Sequence, residues 1–418
     1  MPMKLLMVTR ESLADKRYGL GKSLVPLIAA LERRGVTVGY LCQADASASR
    51  LASLQGLHRW LVRLLGRFFK DTDFAILSWC VLERINMGRL AAEVAAREGY
   101  THVHCHDPIL AAGLRWYARL QPAPRSRWGV TEHGFGCFAA AFPAEKVRVG
   151  PWVMRWLRRW EARTLLKADW VLTPTRLGLR QLAQDLSVNP LPPTWHAVPH
   201  SAPELAICSR AGARHKMGWD AAGLYVLSVG RLVSLKQFPA LVRALAALPV
   251  PAWTLVLVGE GNRAPLQALA AELGVADRLV LATSDDMGLY YSAADLYVST
   301  SLTESFGLAT LEALSAGLPV VCTAVGGVPE VVGDGAWLIP AQDPRALTHA
   351  LQTLLADPGE RVRWAERARR RVQGWPTADQ MAETYHAIYA GEPGRAGAEQ
   401  QPPASAAAAA ESTPGVNL

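Results

Sequence analysis

The segment Leu296–Val332, LYVSTSLTESFGLATLEALSAGLPVVCTAVGGVPEVV, leaves few ways for this chain to fold. Its apolar start, Leu296–Thr300, predicts a buried strand. Glu304 follows on a short loop, and Ser305 is placed to cap a helix that starts near Phe306 and runs to Ala316. Gly317 and Pro319 end that helix. Val320–Cys322 predicts a second strand, and Gly326-Gly327 a permissive turn before Pro329 opens another helix. Alternation of this kind builds a parallel α/β sheet.

The chemistry of such a unit follows from its parts. Backbone N–H groups at Phe306, Gly307 and Leu308 would point out of a helix start and carry partial positive charge, which suits a phosphate. Glu304 and Glu312 are eight residues apart and share a side if the helix extends back towards Glu304. Carboxylates touching a phosphate would repel it. They are better used accepting hydrogen bonds from neutral hydroxyls such as those of ribose and a hexose. A strand, acid, helix, acid unit therefore suits a sugar nucleotide; one exposed and one solvated glutamate is the plainer alternative.

Residue types and spacing over the segment resemble the E-x7-E region of retaining GT-B glycosyltransferases of the family 4 type, the glycosyl transferases group 1. The matching positions are Glu304, Phe306, Gly307, Glu312, Ala313, Gly317, Pro319, Val320, Gly326, Gly327, Pro329 and Glu330.

A chain of 418 residues suits two α/β domains rather than one core. The six cysteines are scattered without a C-x-x-C, which points to a reducing cytosol and away from a disulfide or zinc framework. No apolar run is long enough to span a membrane, and MPMKLLMVTRES reads as a first strand rather than a signal peptide. Residues 1–200 carry 28 Lys and Arg against 15 Asp and Glu, a balance of +13; the remainder has 16 against 21, or −5. A basic N-terminal half suits an anionic membrane surface or an anionic glycan, and no nucleic-acid module accompanies it.

Residues 4–9 predict a strand, followed by a loop through Tyr18-Gly19-Leu20-Gly21, a helix to Arg34 and a strand over Val36–Leu41. Gly21-Lys22-Ser23 resembles the end of a P-loop, but Lys16 stands where that motif requires glycine, so ATPase chemistry is rejected. The family's loop here carries Gly-Gly; Gly19 matches the second glycine and Tyr18 replaces the first.

Leu57–Lys70 is amphipathic. Leu57, Trp60, Leu61, Leu64, Leu65, Phe68 and Phe69 fall on one side, and Arg59, Arg63, Arg67 and Lys70 on the other. Trp152–Lys167 is similarly rich in Trp and Arg. Each is explained either by a helix lying on an anionic membrane or by a domain helix with its apolar side in the core.

A strand over Thr101–Cys105 ends in His104-Cys105-His106-Asp107; without further ligands the His-x-His pair reads as polar packing. The resemblance places it at the family's H-x-H loop near the acceptor cleft. Trp128–Thr131 delivers Glu132-His133-Gly134 at a strand's carboxyl end, where open sheets bind ligands. His133 looks like the family's active-site histidine. Prolines clustered between residues 190 and 203 place the interdomain linker there.

Leu224–Val229 predicts the first strand of the second half, and Gly230 to Lys236 matches the family's G-R-x4-K. Arg231 and Lys236 at a strand end can neutralise a diphosphate without a metal, most strongly as the leaving group gains charge. Gly259-Glu260-Gly261-x-x-Ala264 is a tight β–α turn rather than a dinucleotide fingerprint. Thr283-Ser284 stands where the family often has glycine near the nucleotide base. Trp375-Pro376 precedes a last helix to about Ala390, and the Ala-, Pro- and Gly-rich remainder reads as a disordered tail.

The resemblance implies an α/β GT-B fold, two Rossmann-like domains facing an interdomain cleft. It divides the chain into an acceptor domain (1–200), a nucleotide-sugar domain (201–375), a helix crossing back to the first domain (376–391) and a tail (392–418). It further implies retaining transfer of a sugar from a nucleotide-diphosphate donor, with no cofactor and no required metal. His133, Glu304, Arg231 and Lys236 would act at the reacting centre. Gly19, Phe306, Gly307, Leu308 and Glu312 would hold the donor. The expected acceptor is a glycan or lipid-linked glycan of the cell envelope, such as a lipopolysaccharide, O-antigen or exopolysaccharide precursor, met in the cytoplasm at the inner membrane face. An epimerase-like sugar-nucleotide enzyme and a catalytically inactive GT-B binding protein are the competing readings.

Overall fold

The structure, a computed structural model, describes residues 3–12, 19–69, 72–122, 124–144, 147–249 and 253–392. Tyr18, Lys70 and the segment read as a tail lie outside these residues, apart from Glu392. The chain forms two compact units: residues up to Ser201 together with the segment from Thr377, and Ala202–Pro376.

The first unit is built on a six-stranded sheet of β1 (Lys4–Val8), β2 (Thr37–Leu41), β3 (His102–Cys105), β4 (Arg127–Thr131), β5 (Trp170–Thr173) and β6 (Trp195–Ala197), in the order β2-β1-β3-β4-β5-β6. Every pairing is parallel. Side chains alternate across a strand, so β1 serves two cores at once. Leu6 and Val8 pack with Met87, Ala91 and Leu110 on one face. Leu5 and Met7 pack with Leu27, Leu31 and Trp170 on the other. Burial on both faces is why β1 reads as an unbroken apolar run after Lys4.

The helix Ala378–Ala390 belongs to this unit. Met381, Tyr385, Ile388 and Tyr389 complete the core that holds Leu5 and Trp170. Thr377 and Gln380 form a reciprocal capping box at its start. Arg33 and Arg34 reach Asp379 and Glu383 at 2.7 and 3.1 Å along its exposed edge.

The second unit repeats the plan with β7 (Leu224–Val229), β8 (Trp253–Val258), β9 (Leu279–Ala282), β10 (Leu296–Ser299), β11 (Val320–Thr323) and β12 (Trp337–Ile339), ordered β12-β11-β10-β7-β8-β9. Leu255 and Leu257 face one core, Val256 and Val258 the other. The order reverses at β7, which lies between β8 and β10. In open α/β sheets ligands bind outside the carboxyl ends of the strands at such a reversal.

Two expectations are corrected. The helix after Glu304 spans Leu308–Ser315, not Phe306–Ala316, because Gly307 rather than Ser305 is its N-cap, with φ +86°. That left-handed turn ends the loop one residue before the helix begins, and an L-residue with a side chain would be strained there. Glu304 therefore stands on a loop, and no shared helix aligns it with Glu312. The amphipathic segment is the end of a longer helix, Ala48–Leu65, with a single 3-10 turn at Gly66–Phe68. Of its apolar side Leu54 is buried and Leu61 and Leu65 are half-buried, while Leu57, Trp60, Leu64 and, beyond the helix, Phe68 stay exposed.

Candidate functional site

In the second unit the reversal at β7 brings two loops together. Gly230 to Lys236 leaves β7, and Thr300 to Glu304 leaves β10. Leu302 N–H donates to Leu235 C=O at 2.8 Å, and Thr300 Oγ1 donates to Lys236 C=O at 2.8 Å, so each loop fixes the other. Their side chains meet in an ion pair between Lys236 Nζ and Glu304 Oε1. Ser301 Oγ donates to the same carboxylate oxygen at 2.9 Å, and Gly327 N–H donates to the Glu304 carbonyl at 3.0 Å. Two of these contacts orient the acid, leaving Oε2 for a further donor.

The turn around Lys236 is crowded by design of its glycines. A Cβ on Gly230 would lie 2.9 Å from Lys236 Cε, and one on Gly259 would lie 1.9 Å from the Gly230 carbonyl oxygen. Gly259 must be glycine for the β7 and β8 turns to close over one another, and Gly230 because its φ of +152° is one that L side chains rarely adopt. The Arg231 side chain is exposed at this same turn. Arg231 and Lys236 are thus carried by one seven-residue loop at a strand's carboxyl end.

Glu312 lies on the helix Leu308–Ser315 and is buried. Its Oε2 accepts from Tyr291 Oη at 2.8 Å, and the same hydroxyl is 3.1 Å from the Ala309 carbonyl. Burial, and then the Glu312 charge, hold the Tyr291 phenol well above its ordinary pKa, so it stays a donor. Phe306 is buried against Leu311, Val331 and Trp375, which anchors the loop between the two glutamates. The amides of Phe306 and Gly307 precede the helix rather than forming its first turn; Leu308 opens it.

In the first unit, the corresponding strand ends carry histidines. Residues 104 and 106 point to one face of β3, as 131 and 133 do beside them, since β3 and β4 run in parallel register. His104 is sealed between Tyr389 Oη and Thr131 Oγ1, each 2.7 Å away. Burial lowers its pKa to about 3, so it is neutral packing, as the His-x-His spacing suggests. His106 Nδ1 lies 2.8 Å from His133 Nε2, and the His133 ring stacks parallel to His200 at 6.2 Å between centroids. Burial, followed by the neighbouring histidines, depresses His106 and His133 well below the ordinary imidazole range. Beside them Glu132 is buried and pushed well up by burial and by Glu161 and Asp107. Gly19 opens the helix Gly19–Arg33 after β1.

The structure thus groups Arg231, Lys236, Glu304, Phe306, Gly307, Leu308 and Glu312 around one unit's strand ends, and Gly19 and His133 around the other's. Sequence reasoning missed His106 as the partner of His133 and Tyr291 as the partner of Glu312. Alternation along β3 signals the first; nothing local signals the second, because Tyr291 sits 21 residues before Glu312. Among the described residues, no group of three His, Cys, Asp or Glu is placed to share a metal ion.

Two parallel α/β units with these strand orders define a GT-B fold. Sucrose-phosphate synthase from Thermosynechococcus elongatus superposes with a TM-score of 0.71 at 21% identity, covering 93% of this chain and 98% of that one. Anabaena HepE in complex with UDP-glucose superposes at 0.66 with 18% identity, covering 92% and 100%. The family described as Glycosyl transferases group 1 matches residues 210–371, and the Glycosyl transferase 4-like domain matches residues 18–194. A D-inositol 3-phosphate glycosyltransferase of Mycobacterium sp. (strain KMS) is 34% identical over 289 residues, 64% of this chain and 62% of that protein. Its counterpart in Mycobacteroides abscessus is 32% identical over 319 residues, 71% of this chain and 68% of that protein. The match spans less than two thirds of the first relative and just over two thirds of the second. This chain belongs to the group 1 glycosyl transferases.

Proposed function

We propose that this chain transfers a sugar, with retention at the anomeric carbon, from a nucleotide-diphosphate donor to a lipid-linked glycan of the cell envelope. The observation that carries the reading is the ion pair of Lys236 with Glu304 at the β7/β10 crevice, on the loop that also presents Arg231. Arg231 and Lys236 take the diphosphate, a planar fork and a point charge for two phosphates. Glu304, oriented by Ser301, accepts from hydroxyls of the donor sugar. Glu312, oriented by Tyr291, accepts from the ribose. The amides of Phe306, Gly307 and Leu308 add donors to the phosphate. A UDP-glucose complex of a protein with the same fold supports this donor class.

In the transfer step the bond between the anomeric carbon and the diphosphate oxygen breaks, and a bond to the acceptor hydroxyl oxygen forms on the same face. The hydroxyl proton passes to the departing phosphate oxygen. Negative charge grows on that phosphate as the bond breaks, so Arg231 and Lys236 stabilise the transition state more than the bound donor. No metal is needed where two cations already supply this charge. His133, a neutral imidazole whose Nε2 is engaged by His106, offers Nδ1 to a hydroxyl. Gly19 lets the backbone approach donor and acceptor.

The acceptor class rests on the basic first unit, whose sequence suits an anionic glycan carrier at the cytoplasmic membrane face. The test is incubation with a nucleotide-sugar donor and an envelope lipid fraction, following sugar incorporation and the anomeric configuration of the product by NMR. Acceptor-dependent release of nucleoside diphosphate with retained configuration supports the reading. Donor turnover into an isomeric nucleotide sugar without acceptor would establish the epimerase-like alternative, and donor binding without either would establish a binding protein.

A further inference from the structure

We infer that the helices Ala48–Leu65 and Pro151–Leu165 of the first unit form one docking surface for an anionic lipid bilayer. The first observation is exposure. Trp60 is 57% exposed, Phe68 69% and Trp152 60%, with Leu57, Leu64 and Trp156 also open. Single exposed apolar side chains are ordinary on a protein surface, but here several fall on the same two helices.

The cluster is built rather than incidental. Leu57, Trp60 and Leu64 are spaced three and four apart and form one ridge. Leu54, Leu61 and Leu65 on one side of that ridge turn towards the unit, Leu54 fully and the others partly buried. Arg59, Arg63 and Arg67, spaced four apart, run along its outer side and are exposed. The second helix repeats the device, with Trp152 and Trp156 beside exposed Arg155 and Arg159. Phe69 joins the two, its ring centroid 6.4 Å from that of Trp152 and 4.8 Å from that of Phe74. Asp73 N–H donates to the Arg148 carbonyl at 2.9 Å and Arg148 N–H donates to Asp73 Oδ2 at 2.7 Å, which clamps the segments that enter and leave this junction.

Charge selects the occupant. Among the described residues none of Arg59, Arg63, Arg67, Arg155 and Arg159 has an ion-pair partner, and the nearby acids Asp73 and Glu161 are engaged with Arg148 and with backbone amides. A second copy seated on this face would set these like charges against one another. A nucleic acid would use the arginines and leave the leucines and phenylalanine without a role. A bilayer uses both, with phosphate headgroups at the arginines and Trp, Phe and Leu in the interface below. The acceptor reading gives such docking a purpose, but binding to the bilayer needs neither donor nor acceptor.

The experiment is flotation of the full chain with vesicles of phosphatidylcholine alone or mixed equally with phosphatidylglycerol, at low and high salt. The wild type is expected to float with the anionic vesicles and to release with salt. Arg59→Ala, Arg63→Ala and Arg67→Ala combined should bind about 100-fold more weakly, at about 1 kcal/mol per cation. Trp60→Ser with Phe68→Ser should lose binding that low salt does not restore. Both variants are at exposed positions, and nucleotide-induced thermal stabilisation serves as the folding control. Equal flotation on both vesicle types, or variants that float like the wild type, would overturn the inference. So would a wild-type dimer made monomeric by Trp60→Ser and Phe68→Ser with flotation unchanged, which would assign the face to self-association.

Discussion

His106 engages His133 through a 2.8 Å contact between Nδ1 and Nε2, at the ends of adjacent strands. Both rings are held neutral by burial, so one proton is shared along that contact, and the tautomer of one ring dictates that of the other. His106→Asn keeps a group within reach of His133 but cannot relay the choice of tautomer. If His133 serves the donor sugar through Nδ1, this variant should lower kcat by about 10- to 100-fold while leaving the donor KM near its wild-type value. A pH–rate profile shifted in its acid limb would locate the effect on the histidine pair. An unchanged profile with a raised KM would show that His106 only packs.

His104 supplies a pH dependence of stability. Its pKa falls to about 3 in the folded chain, against an ordinary 6.5, because it is buried. The unfolded chain therefore binds a proton that the folded one refuses between these values, and stability is lost as pH falls through that window. The slope is about 1.4 kcal/mol per pH unit for this one group. Glu161, raised by burial from 4.5 to about 7, acts in the opposite sense, losing stability as pH rises between those values. The comparison is therefore made between variants. Urea unfolding of wild type and His104→Gln from neutral to acid pH should show a steeper acid loss in the wild type. Parallel curves would mean that His104 is hydrated and titrates normally.

Tyr291 holds Glu312 in place, and its removal should separate orientation from binding. Tyr291→Phe deletes the 2.8 Å hydrogen bond to a buried carboxylate and should cost about 1–3 kcal/mol in urea unfolding. Donor affinity should fall in parallel, while Glu312→Gln retains the Tyr291 contact and loses donor affinity at smaller cost in stability. Equal donor affinity in both variants and the wild type would remove Glu312 from the site.

The helix Ala378–Ala390 is held by its apolar side, not by its ion pairs. Tyr389 is fully buried against Trp170 and His104, so Tyr389→Ala should cost about 3–5 kcal/mol. Asp379 and Arg33 are both exposed, and Asp379→Ala should cost less than about 1 kcal/mol. Chemical denaturation of the full chain distinguishes the two, and the reverse ranking would mean that the helix docks electrostatically.

Burial on both faces demands an unbroken apolar run, and Leu224–Val229 begins and ends where its run does; Leu279–Ala282 matches its run too, although as an edge strand it is only partly buried. The start of the Glu312 helix was misplaced because Ser305 is a good cap by type, whereas the cap used, Gly307, depends on a left-handed turn that the Phe306 anchor imposes. Periodicity found the amphipathic side of Leu57–Phe69 but could not say what it faces, since a core and a bilayer ask for the same pattern. The Lys236–Glu304 meeting needed the strand order, which places β7 beside β10 across 68 residues of sequence.

The central claim, a sugar-nucleotide site at the β7/β10 crevice, is tested most directly by thermal stabilisation. The full chain is heated with UDP-glucose, UDP-N-acetylglucosamine, GDP-mannose and related donors, beside Arg231→Ala and Glu312→Gln. One donor should stabilise the wild type at micromolar to millimolar concentration, and each variant should need about 10- to 100-fold more of it for the same shift. A wild type indifferent to every donor, or one stabilised equally with both variants, would contradict the assignment of the site.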